Sequence, residues 1–265
     1  MKTIKKNDYQ SWESYYWDYQ KILAEDYYIP YLINEGKISL SKTTSIIDIG
    51  CGNGGFIDAI NSKFNSSSTC SAIGIDIKNF DSWKNKNTTY KVHNILEDDN
   101  KDYKSKYDLV ILRDVIEHIH NHEKEIFIKT VKSFMTPDGK MLATFPPYLS
   151  PFGLHQQAIM QSFLKRIPYL SILPRSILKT VVMKFENSNT WKEIEEIIDS
   201  SMTISRFKSL LKQSGLSISK QRFFTVRPSH EIRYNIKSFR SPFGSIPIMR
   251  EFLILGTCYL LKKNK

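Results

Sequence analysis

A glycine-rich turn is the part of this sequence best suited to hold a ligand. The run Asp48-Ile-Gly50-Cys-Gly52-Asn-Gly54 follows a short β-branched stretch and precedes a helical one. A strand therefore ends, glycines turn the chain, and a helix begins. Such a turn exposes backbone N–H groups, and a ligand can approach closely because no Cβ is in the way. The spacing is G-x-G-x-G, which argues against a dinucleotide enzyme with its longer G-x-G-x-x-G.

An acidic residue ends the next predicted strand. Asp76 lies 26 residues after Gly50. A carboxylate at such a strand end can accept hydrogen bonds from both hydroxyls of a ribose. The two features together predict a ligand that contains a ribose.

Further polar residues follow the fourth and fifth predicted strands. Glu117 and His118 come after the fourth, and Tyr148 and His155 after the fifth. Ligands of open α/β sheets bind at the carboxyl ends of the strands. Tyr148 and His155 could orient or deprotonate a substrate hydroxyl, or they could anchor a rigid loop fixed by prolines. Both interpretations stay open at this point.

Alternating strands and helices are predicted to position these residues. Short apolar, β-branched runs indicate buried strands, and strands that alternate with helices indicate an α/β fold with a parallel sheet. The predicted strands are Ser45–Gly50, Ser71–Asp76, Thr89–His93, Tyr107–Leu112, Lys140–Phe145, Leu216–Val226 and Phe252–Leu261, and the predicted helices between them are Phe56–Phe64, Val115–Phe134 and Ile204–Ser214. Ser201 or Thr203 is the expected cap of the last helix.

An aromatic segment precedes the first strand. Residues 8–35 contain nine aromatic side chains, and their spacing predicts a helix that Pro30 interrupts. The segment is interpreted mainly as a packing element, with a lid over the ligand, bringing Tyr16 or Tyr19 near the site, as the alternative. The residues predicted to lie on one face of this helix are Trp12, Tyr16, Tyr19 and Leu23.

The regular alternation stops after the fifth strand. Residues 147–200 carry irregular apolar clusters and are interpreted as an inserted cap within a single domain, 1–265. Residues 227–250 are predicted to form a long basic loop. Five Lys or Arg and no acid occur in 151–185, and five against one acid in 227–250.

Composition excludes several classes of protein. The chain has 265 residues, 41% hydrophobic and 25% charged, which is typical of a globular protein and not of a disordered one. The net charge of +11 favours anionic partners. No signal peptide or transmembrane segment is expected, because the longest apolar run, Phe252–Leu261, is too short to span a bilayer. Three scattered cysteines predict neither a disulfide framework nor a zinc site and favour a cytoplasmic location.

These landmarks resemble the class I S-adenosylmethionine-dependent methyltransferases, of the type 11/12-like kind. The glycine turn and Asp76 match that family, as do His93-Asn-Ile-Leu96, Tyr107–His118 and Pro137-Asp-Gly-Lys140. The resemblance covers about residues 40–146 well, and residues 200–262 by topology alone. It implies a Rossmann-like, doubly wound, mostly parallel seven-stranded sheet with an antiparallel last strand. The Phe145-to-His155 run also resembles a bacterial subset that modifies glycans and lipids.

The resemblance implies roles for particular residues. S-adenosylmethionine would be the cofactor, with its methionine part on the glycines, its ribose on Asp76 and its adenine near Asn94. The implied cofactor-binding residues are Asp48, Gly50, Gly52, Gly54, Asp76, Ile77, Asn94, Ile95 and Arg113. The candidate catalytic residues are His155, Tyr148 and His118.

The run Asp114-x-x-Glu117-His118 is similar to the E-x-x-E-H of quinone-biosynthesis O-methyltransferases, which can hold a divalent metal. Glu-His occurs at this turn in many relatives that bind no metal, so no metal is expected here.

The expected function is methyl transfer to a small-molecule, lipid-linked or glycan acceptor, on oxygen. The basic and apolar character of the two segments suggests an anionic, partly apolar acceptor or an anionic membrane surface, with Arg227, Arg233 and Arg240 as preferred contacts. An RNA methyltransferase, suggested by the net charge, is the less favoured alternative. A non-catalytic interaction protein is the other, and the intact glycine turn argues against it.

Overall fold

A single mixed sheet carries the fold. In the computed structural model, which describes residues 1–39, 41–65, 70–85 and 88–264, the strands are arranged in the order β3-β2-β1-β4-β5-β8-β6-β7. Their bounds are β1 Ser45–Ile49, β2 Ser71–Asp76, β3 Thr89–Val92, β4 Tyr107–Arg113, β5 Met135–Phe145, β6 Leu216–Val226, β7 Phe239–Arg240 and β8 Gly256–Lys263.

The strand directions confirm the predicted fold class. The strands β1 to β5 pair in parallel, and β8 lies antiparallel between β5 and β6. The described residues form eight strands instead of seven, because Phe239–Arg240, inside the predicted loop 227–250, pairs with the free edge of β6.

Helices cover both faces of this sheet. Their bounds are α1 Trp12–Leu23, α2 Gly55–Asn65, α3 Lys124–Phe134, α4 Gln156–Ile159, α5 Arg175–Phe185, α6 Ser188–Asp199, α7 Ile204–Gln213, α8 Pro228–Tyr234 and α9 Pro247–Leu253. Of the two expected caps of α7, Thr203 is the one used, since its side chain accepts the Arg206 N–H. Within the described ranges, no helix is long and apolar enough to cross a bilayer.

Alternation along the central strands creates two cores. Ile47 and Ile49 of β1 belong to the core that α3 and α7 complete, while Ile46 belongs to the core beneath α1 and α2. Successive side chains of a strand point to opposite faces. The continuous apolar runs that predicted buried strands are therefore covered on both sides.

The N-terminal segment differs from its prediction in two ways. Tyr15, Tyr19 and Leu23 form the buried face of α1, whereas Trp12 begins the helix and is 48% exposed. The chain also stays helical through Pro30, with wide turns over Ala24–Tyr28 and Tyr31–Glu35. Proline precedes the second of these turns, where its fixed φ suits a helix start and its missing N–H is not needed.

Further boundaries differ from the sequence expectation. The strand β5 begins at Met135 instead of Lys140, with an irregularity in its pairing with β4. The predicted helix Val115–Phe134 is a short 3-10 turn, Ile116–His118, followed by α3. The predicted loop 227–250 contains α8, β7 and most of α9, and the last strand begins at Gly256 instead of Phe252. Pro228 and Pro247 each stand at the start of a helix, a position where proline is favoured.

The insertion after β5 is compact. It contains α4 to α6, and the Tyr148 N–H donates to the Met202 carbonyl at 2.8 Å, so its two ends lie side by side. Its interior is an apolar cluster formed by Leu154, Met160, Leu164, Leu170, Leu178, Val182, Trp191 and Ile194. This segment, residues 147–200, is called the cap below.

Candidate active site

The glycine turn has the backbone conformation that its composition predicts. Gly50, Gly52 and Gly54 have φ values of 69°, 55° and 88°, a region that disfavours other residues. A Cβ on Gly50 would overlap Val115, and one on Gly54 would overlap the Tyr90 hydroxyl. A Cβ on Gly52 would meet no atom within 4 Å. Neighbouring side chains therefore leave no room for a Cβ at Gly50 or Gly54, whereas the space beside Gly52 is open.

The Asp76 carboxylate lies against this turn. Its Oδ2 accepts the Gly52 N–H at 2.9 Å, and its Oδ1 accepts the Lys78 N–H at 3.1 Å. The N–H groups of Gly50 and Cys51 both donate to the Ile75 carbonyl. The strand end thus holds both the turn and the acid in place, which brings together the two landmarks found in the sequence.

The segment after β3 lies beside the same acid. The His93 N–H donates to the Asp76 carbonyl at 2.9 Å, which places Asn94 next to the end of β2. Asn94 Oδ1 accepts the Leu96 N–H and so holds its own turn. Ile95 is buried, but Ile77 is 64% exposed. This exposed isoleucine directly after Asp76 leaves an apolar surface beside the carboxylate.

One aromatic residue at this turn was not predicted. Trp83 donates from Nε1 to the Gly52 carbonyl at 2.9 Å and stacks on Tyr90 with ring centroids 5.1 Å apart. Tyr90 in turn donates to Asp58 at the start of α2. The sequence signal that could have predicted this contact was a tryptophan in the short segment after Asp76.

Two charged residues lie beneath the turn. Asp48 is buried, and burial raises its pKa to about 7, with Arg113 opposing that shift and Asp76 adding to it. The Arg113 guanidinium lies 3.8 Å from the Phe56 ring centroid and donates to Gln20 at 2.8 Å. Arg113 therefore ties α1 to the end of β4.

The helix α1 packs directly on the glycine turn. Asn53 donates from Nδ2 to the Glu13 carbonyl at 3.1 Å, and a Cβ on Gly55 would lie 2.3 Å from the Trp17 carbonyl oxygen. The guanidinium of Arg233 stands over the Tyr19 ring at 5.6 Å. These contacts place the N-terminal segment against the glycine turn and Tyr19 beside Arg233.

A pocket of about 370 Å³ opens at the carboxyl ends of β4, β5 and β6. It is lined by the turn after β4, by the start of the cap and by α8, and its polar side chains are Asp114, Glu117, Ser150, His118, His155, Gln157, Arg227, His230, Arg233 and Tyr234. A cavity of about 570 Å³ lies elsewhere, between α2 and the segment around Pro30. None of its lining residues is at a strand end, so the smaller pocket is the candidate acceptor site.

The structure brings the three candidate catalytic residues together. The His118 and His155 rings meet edge to face with centroids 5.7 Å apart, and Tyr148 lines a small adjoining cavity with both. Burial lowers the pKa of His155 to about 4, and the charges of His118 and Arg227 add to this shift. Burial also lowers the pKa of His118. Burial therefore favours the neutral form of both rings.

The two acids of the Asp114-x-x-Glu117-His118 run have different surroundings. Asp114 accepts from Arg227 and from the Thr144 hydroxyl. Glu117 is buried, and neither of its carboxyl oxygens has a hydrogen-bond partner in the part of the chain that the structure describes. Burial raises the pKa of Glu117 well above its usual value. Among the described residues, no cluster of three or more His, Cys, Asp or Glu has a metal-binding arrangement.

The three arginines expected to contact an anion have different partners in the structure. Arg227 is paired with Asp114, and Arg240 with Glu35 at 3.0 Å. Arg233 stands over the Tyr19 and Tyr234 rings, and no carboxylate among the described residues lies within 4 Å of it. His230 and Tyr234 were missed because 227–250 was interpreted as a loop; Pro228 was the signal for α8.

Comparison with known proteins gives a family match for this chain. Residues 26–221 match the model of a family described as a methyltransferase domain. No curated protein matches the chain in sequence.

Solved structures show the same fold. A SAM-dependent methyltransferase from Archaeoglobus fulgidus is 14% identical, with a TM-score of 0.53 and 97% of each chain covered. The plantazolicin methyltransferase BamL, solved with a triazolic desmethylPZN analogue and SAH, is 13% identical, with a TM-score of 0.54 over 96% of this chain and 90% of that one. The magnesium protoporphyrin IX methyltransferase of Synechocystis PCC 6803, solved with SAH, is 14% identical, with a TM-score of 0.50 and coverage of 95% and 86%.

Proposed function

The chain belongs to the methyltransferase-domain family, and we propose that it transfers the methyl group of S-adenosylmethionine to an oxygen of a small anionic acceptor. The acceptor would occupy the pocket at the carboxyl ends of β4, β5 and β6. Methyl transfer from a sulfonium is an in-line displacement. It depends mainly on positioning the acceptor and on excluding water.

The residues around the glycine turn fit the cofactor. Gly52 leaves open space where any other residue would project a Cβ, and Asp76 is held beside it by two backbone N–H groups. Gly50, Gly52 and Gly54 would hold the methionine part, Asp76 the ribose, and Ile77 with Asn94 the adenine. When bound, S-adenosylmethionine supplies a methyl group that is already activated.

The charge of Arg233 is the main argument for an anionic acceptor. Arg227 also lines the pocket, but Asp114 neutralises it. Arg233 has no such carboxylate among the described residues and presents a planar, always charged group to the pocket. Guanidinium groups bind carboxylates and phosphates through paired donors. An anionic acceptor would neutralise this cation.

The histidines favour an oxygen acceptor that ionises readily. The pKa of His155 is lowered to about 4 by burial, so the ring is free to accept a proton at neutral pH but is a weak base. A carboxylic acid needs no base, because it is already ionised at neutral pH, and a phenol is acidic enough to be assisted by a weak one. An aliphatic alcohol would need a stronger base. Arg233 would stabilise the resulting oxyanion.

The pocket also supports the expectation of a partly apolar acceptor. Pro146, Phe152 and Leu255 contribute to its lining. A volume of about 370 Å³ suits a small molecule or the end group of a lipid- or glycan-linked one. Nothing in this lining favours a polynucleotide over a small acceptor.

Transfer of a labelled methyl group tests the proposal. Purified protein and methyl-labelled S-adenosylmethionine are incubated with a set of phenols and carboxylic acids that carry a second anionic group. The uncharged analogues serve as the comparison. Label is expected in the anionic compounds alone, and Arg233→Gln is expected to raise their KM about tenfold or more, as the loss of a charged hydrogen bond implies.

Arg240→Gln is the matched control, because it removes the same charge outside the pocket. It should leave KM unchanged. Equal labelling of the uncharged analogues, or equal kinetics of Arg233→Gln and Arg240→Gln, contradicts the proposal. Calorimetry with SAH checks that both variants still bind the cofactor.

A further inference from the structure

Lys124 is a buried lysine that the proposed chemistry does not use. It begins α3, is 2% exposed and lies outside the lining of the candidate acceptor pocket. Its ammonium group donates to three backbone carbonyls, those of Ile116, Ile119 and Ser200, at 2.5 to 2.8 Å. A lysine has three N–H donors, so each of them has an acceptor here.

This position is unfavourable for a cation as far as α3 is concerned. The N-terminus of a helix disfavours positive charge, and a buried ammonium group loses its hydration. Burial lowers the pKa of Lys124 to about 7, with Glu117 opposing this shift and Arg206 adding to it. A neutral residue would avoid both costs. The lysine therefore serves the segments whose carbonyls it binds, and not the helix that it begins.

Two of these carbonyls flank the turn that carries Glu117 and His118. This 3-10 turn, Ile116–His118, has only three residues, and within the described part of the chain no side chain caps its start. A turn this short is not stable by itself. Because Ile116 begins the turn and Ile119 follows it, the ammonium group holds the turn at both ends.

The third carbonyl belongs to the end of the cap. Ser200 follows α6, and the last carbonyls of a helix lack partners within it and are favourable neighbours of a lysine. A second bond joins the same two segments, since the Asn121 N–H donates to the Asp199 carbonyl at 2.9 Å. Lys124 thus ties the end of the cap to the turn after β4.

The two histidines of the candidate pocket come from these same two segments. His118 belongs to the turn and His155 to the cap, and their rings meet with centroids 5.7 Å apart. The contact between the rings therefore depends on how the cap is seated against the turn.

We propose that Lys124 is a positioning residue of the acceptor site, whose ammonium group seats the cap on the turn and so brings His118 and His155 together. The use of this pair in methyl transfer rests on the proposed function. The contact between the two rings does not, which allows the two to be tested separately.

Kinetics distinguish this positioning from a general contribution to folding. Lys124→Met keeps the length of the side chain but removes its N–H donors. With the anionic compound labelled fastest in the transfer assay, it should lower kcat about tenfold or more, because the acceptor site loses its alignment. The KM, which Arg233 governs, and the affinity for SAH should stay within about twofold. The stoichiometry of SAH binding gives the folded fraction, to which kcat is normalised.

Lys263→Met is the matched control. Lys263 also donates to a backbone carbonyl, that of Met135 at 2.6 Å, but at the amino end of β5, away from the pocket. It should leave kcat unchanged. An equal loss of kcat in the two variants, or an unchanged kcat in Lys124→Met, overturns the proposal.

Chemical rescue tests the N–H donors directly. Lys124→Ala lacks the part of the side chain that n-propylammonium can replace, and a cavity of about 330 Å³ lies beside Lys124 and Arg206. The amine should raise the kcat of Lys124→Ala severalfold. Tetramethylammonium has the same charge but no N–H group, and it should have no effect. Equal rescue by the two cations would mean that charge alone matters and would contradict the proposal.

A measurement without any acceptor separates this inference from the proposed function. In protein with isotope-labelled histidines, a nuclear Overhauser effect between the His118 and His155 rings reports their contact. It should be present in the unmodified protein and in Lys263→Met, and lost in Lys124→Met. Where Lys124→Met does not fold, Lys124→Ala folded with n-propylammonium replaces it, and the effect should disappear when the amine is removed.

A ring contact that persists without the ammonium group overturns the positioning role. If the unmodified protein methylates none of the anionic compounds but its ring contact still depends on Lys124, the proposed function fails and the positioning role stands. If methyl transfer occurs and Lys124→Met retains both kcat and the ring contact, the proposed function stands and the positioning role fails.

Discussion

Arg227 reaches across the start of β8 to Asp114. Its Nη2 donates to both carboxylate oxygens, at 2.9 and 2.8 Å, and its side chain fills the space that a Cβ on Gly256 would need. Asp114 follows β4 and Arg227 follows β6, so the pair joins chain ends that are separated by β5 and β8 in the sheet. It forms one wall of the candidate acceptor pocket.

Arg227→Gln is expected to destabilise the protein by roughly 1–3 kcal/mol at neutral pH, because a half-buried carboxylate loses its charged partner. Burial alone would raise the pKa of Asp114, but Arg227 and Arg113 together hold it below its usual value of 3.8. A depressed acid stabilises the folded state above its unfolded pKa and loses that contribution as pH falls through the folded pKa. The difference between the two proteins in urea unfolding should therefore shrink in strong acid.

Arg240→Gln again provides the comparison, since its partner Glu35 is exposed and exposed pairs contribute about 0–1 kcal/mol. Equal unfolding free energies of the two variants at neutral pH would show that the Arg227–Asp114 pair is not a structural tie.

Asp76→Ala should weaken SAH binding strongly. Two charge-assisted bonds to the ribose would disappear, each contributing roughly 1.5–3 kcal/mol. The Gly52 N–H would also lose its acceptor. Isothermal calorimetry measures the affinity, with Asp138→Ala, at an exposed acid near the start of β5, as the control. If Asp76→Ala bound SAH with unchanged affinity, the assignment of Asp76 to the ribose would be wrong.

Gly52→Ala should lower SAH affinity with only a small loss of stability. Its φ of 55° makes alanine unfavourable by roughly 1–2 kcal/mol, and the new methyl group would project into the open space where the methionine part is expected. Gly215→Ala is a matched control, because Gly215 has a similar φ of 65° but faces the flexible end of Lys132. Both variants should show similar shifts in urea unfolding. Affinity that falls equally in both would mean that the loss comes from the backbone and not from the space.

Glu117 is expected to make the protein less stable as pH rises. Burial raises its pKa far above the usual 4.5, so between that value and the folded pKa the native state keeps a proton that the unfolded chain has lost. Stability then falls with rising pH across this window and levels off above the folded pKa. Glu117→Gln, which stays neutral, should lack this decline.

Urea unfolding of both proteins from pH 4.5 upward measures the effect, and Glu193→Gln, at an exposed site on α6, is the control. A constant difference between unmodified protein and Glu117→Gln over that range would show that the Glu117 carboxyl is solvated in the folded state.

The sequence predicted β1, β2 and β4 well because each is a largely apolar run between turn residues. The bounds of β2 and β6 agree with their predictions residue for residue. The glycine turn and Asp76 were also found, since only particular residue types suit those backbone positions. The family model confirms the methyltransferase prediction.

Other features depend on contacts that no local pattern reveals. Nine aromatic residues in 8–35 allow several helical faces, so Trp12 was placed with the buried set although Tyr15 belongs there. The Arg227–Asp114 pair joins residues 113 positions apart. Without that partner, Arg227 looked as free to bind an anion as Arg233.

Excision of the cap tests whether it serves the acceptor alone. Tyr148 and Met202 are joined by a backbone hydrogen bond, so a short glycine-serine linker from Tyr148 to Ser200 can replace residues 149–199. Keeping Ser200 preserves the carbonyl that accepts from Lys124. The cap has its own apolar cluster, so the two cores of the sheet should survive its removal. We expect SAH affinity within about threefold of the full chain, a small cost on the scale where tenfold is 1.4 kcal/mol. Methyl transfer should be lost, because His155 and Phe152 leave with the cap. Calorimetry and the labelled-methyl assay measure the two outcomes. Loss of SAH binding in a protein that no longer folds would identify the cap as part of the structural core.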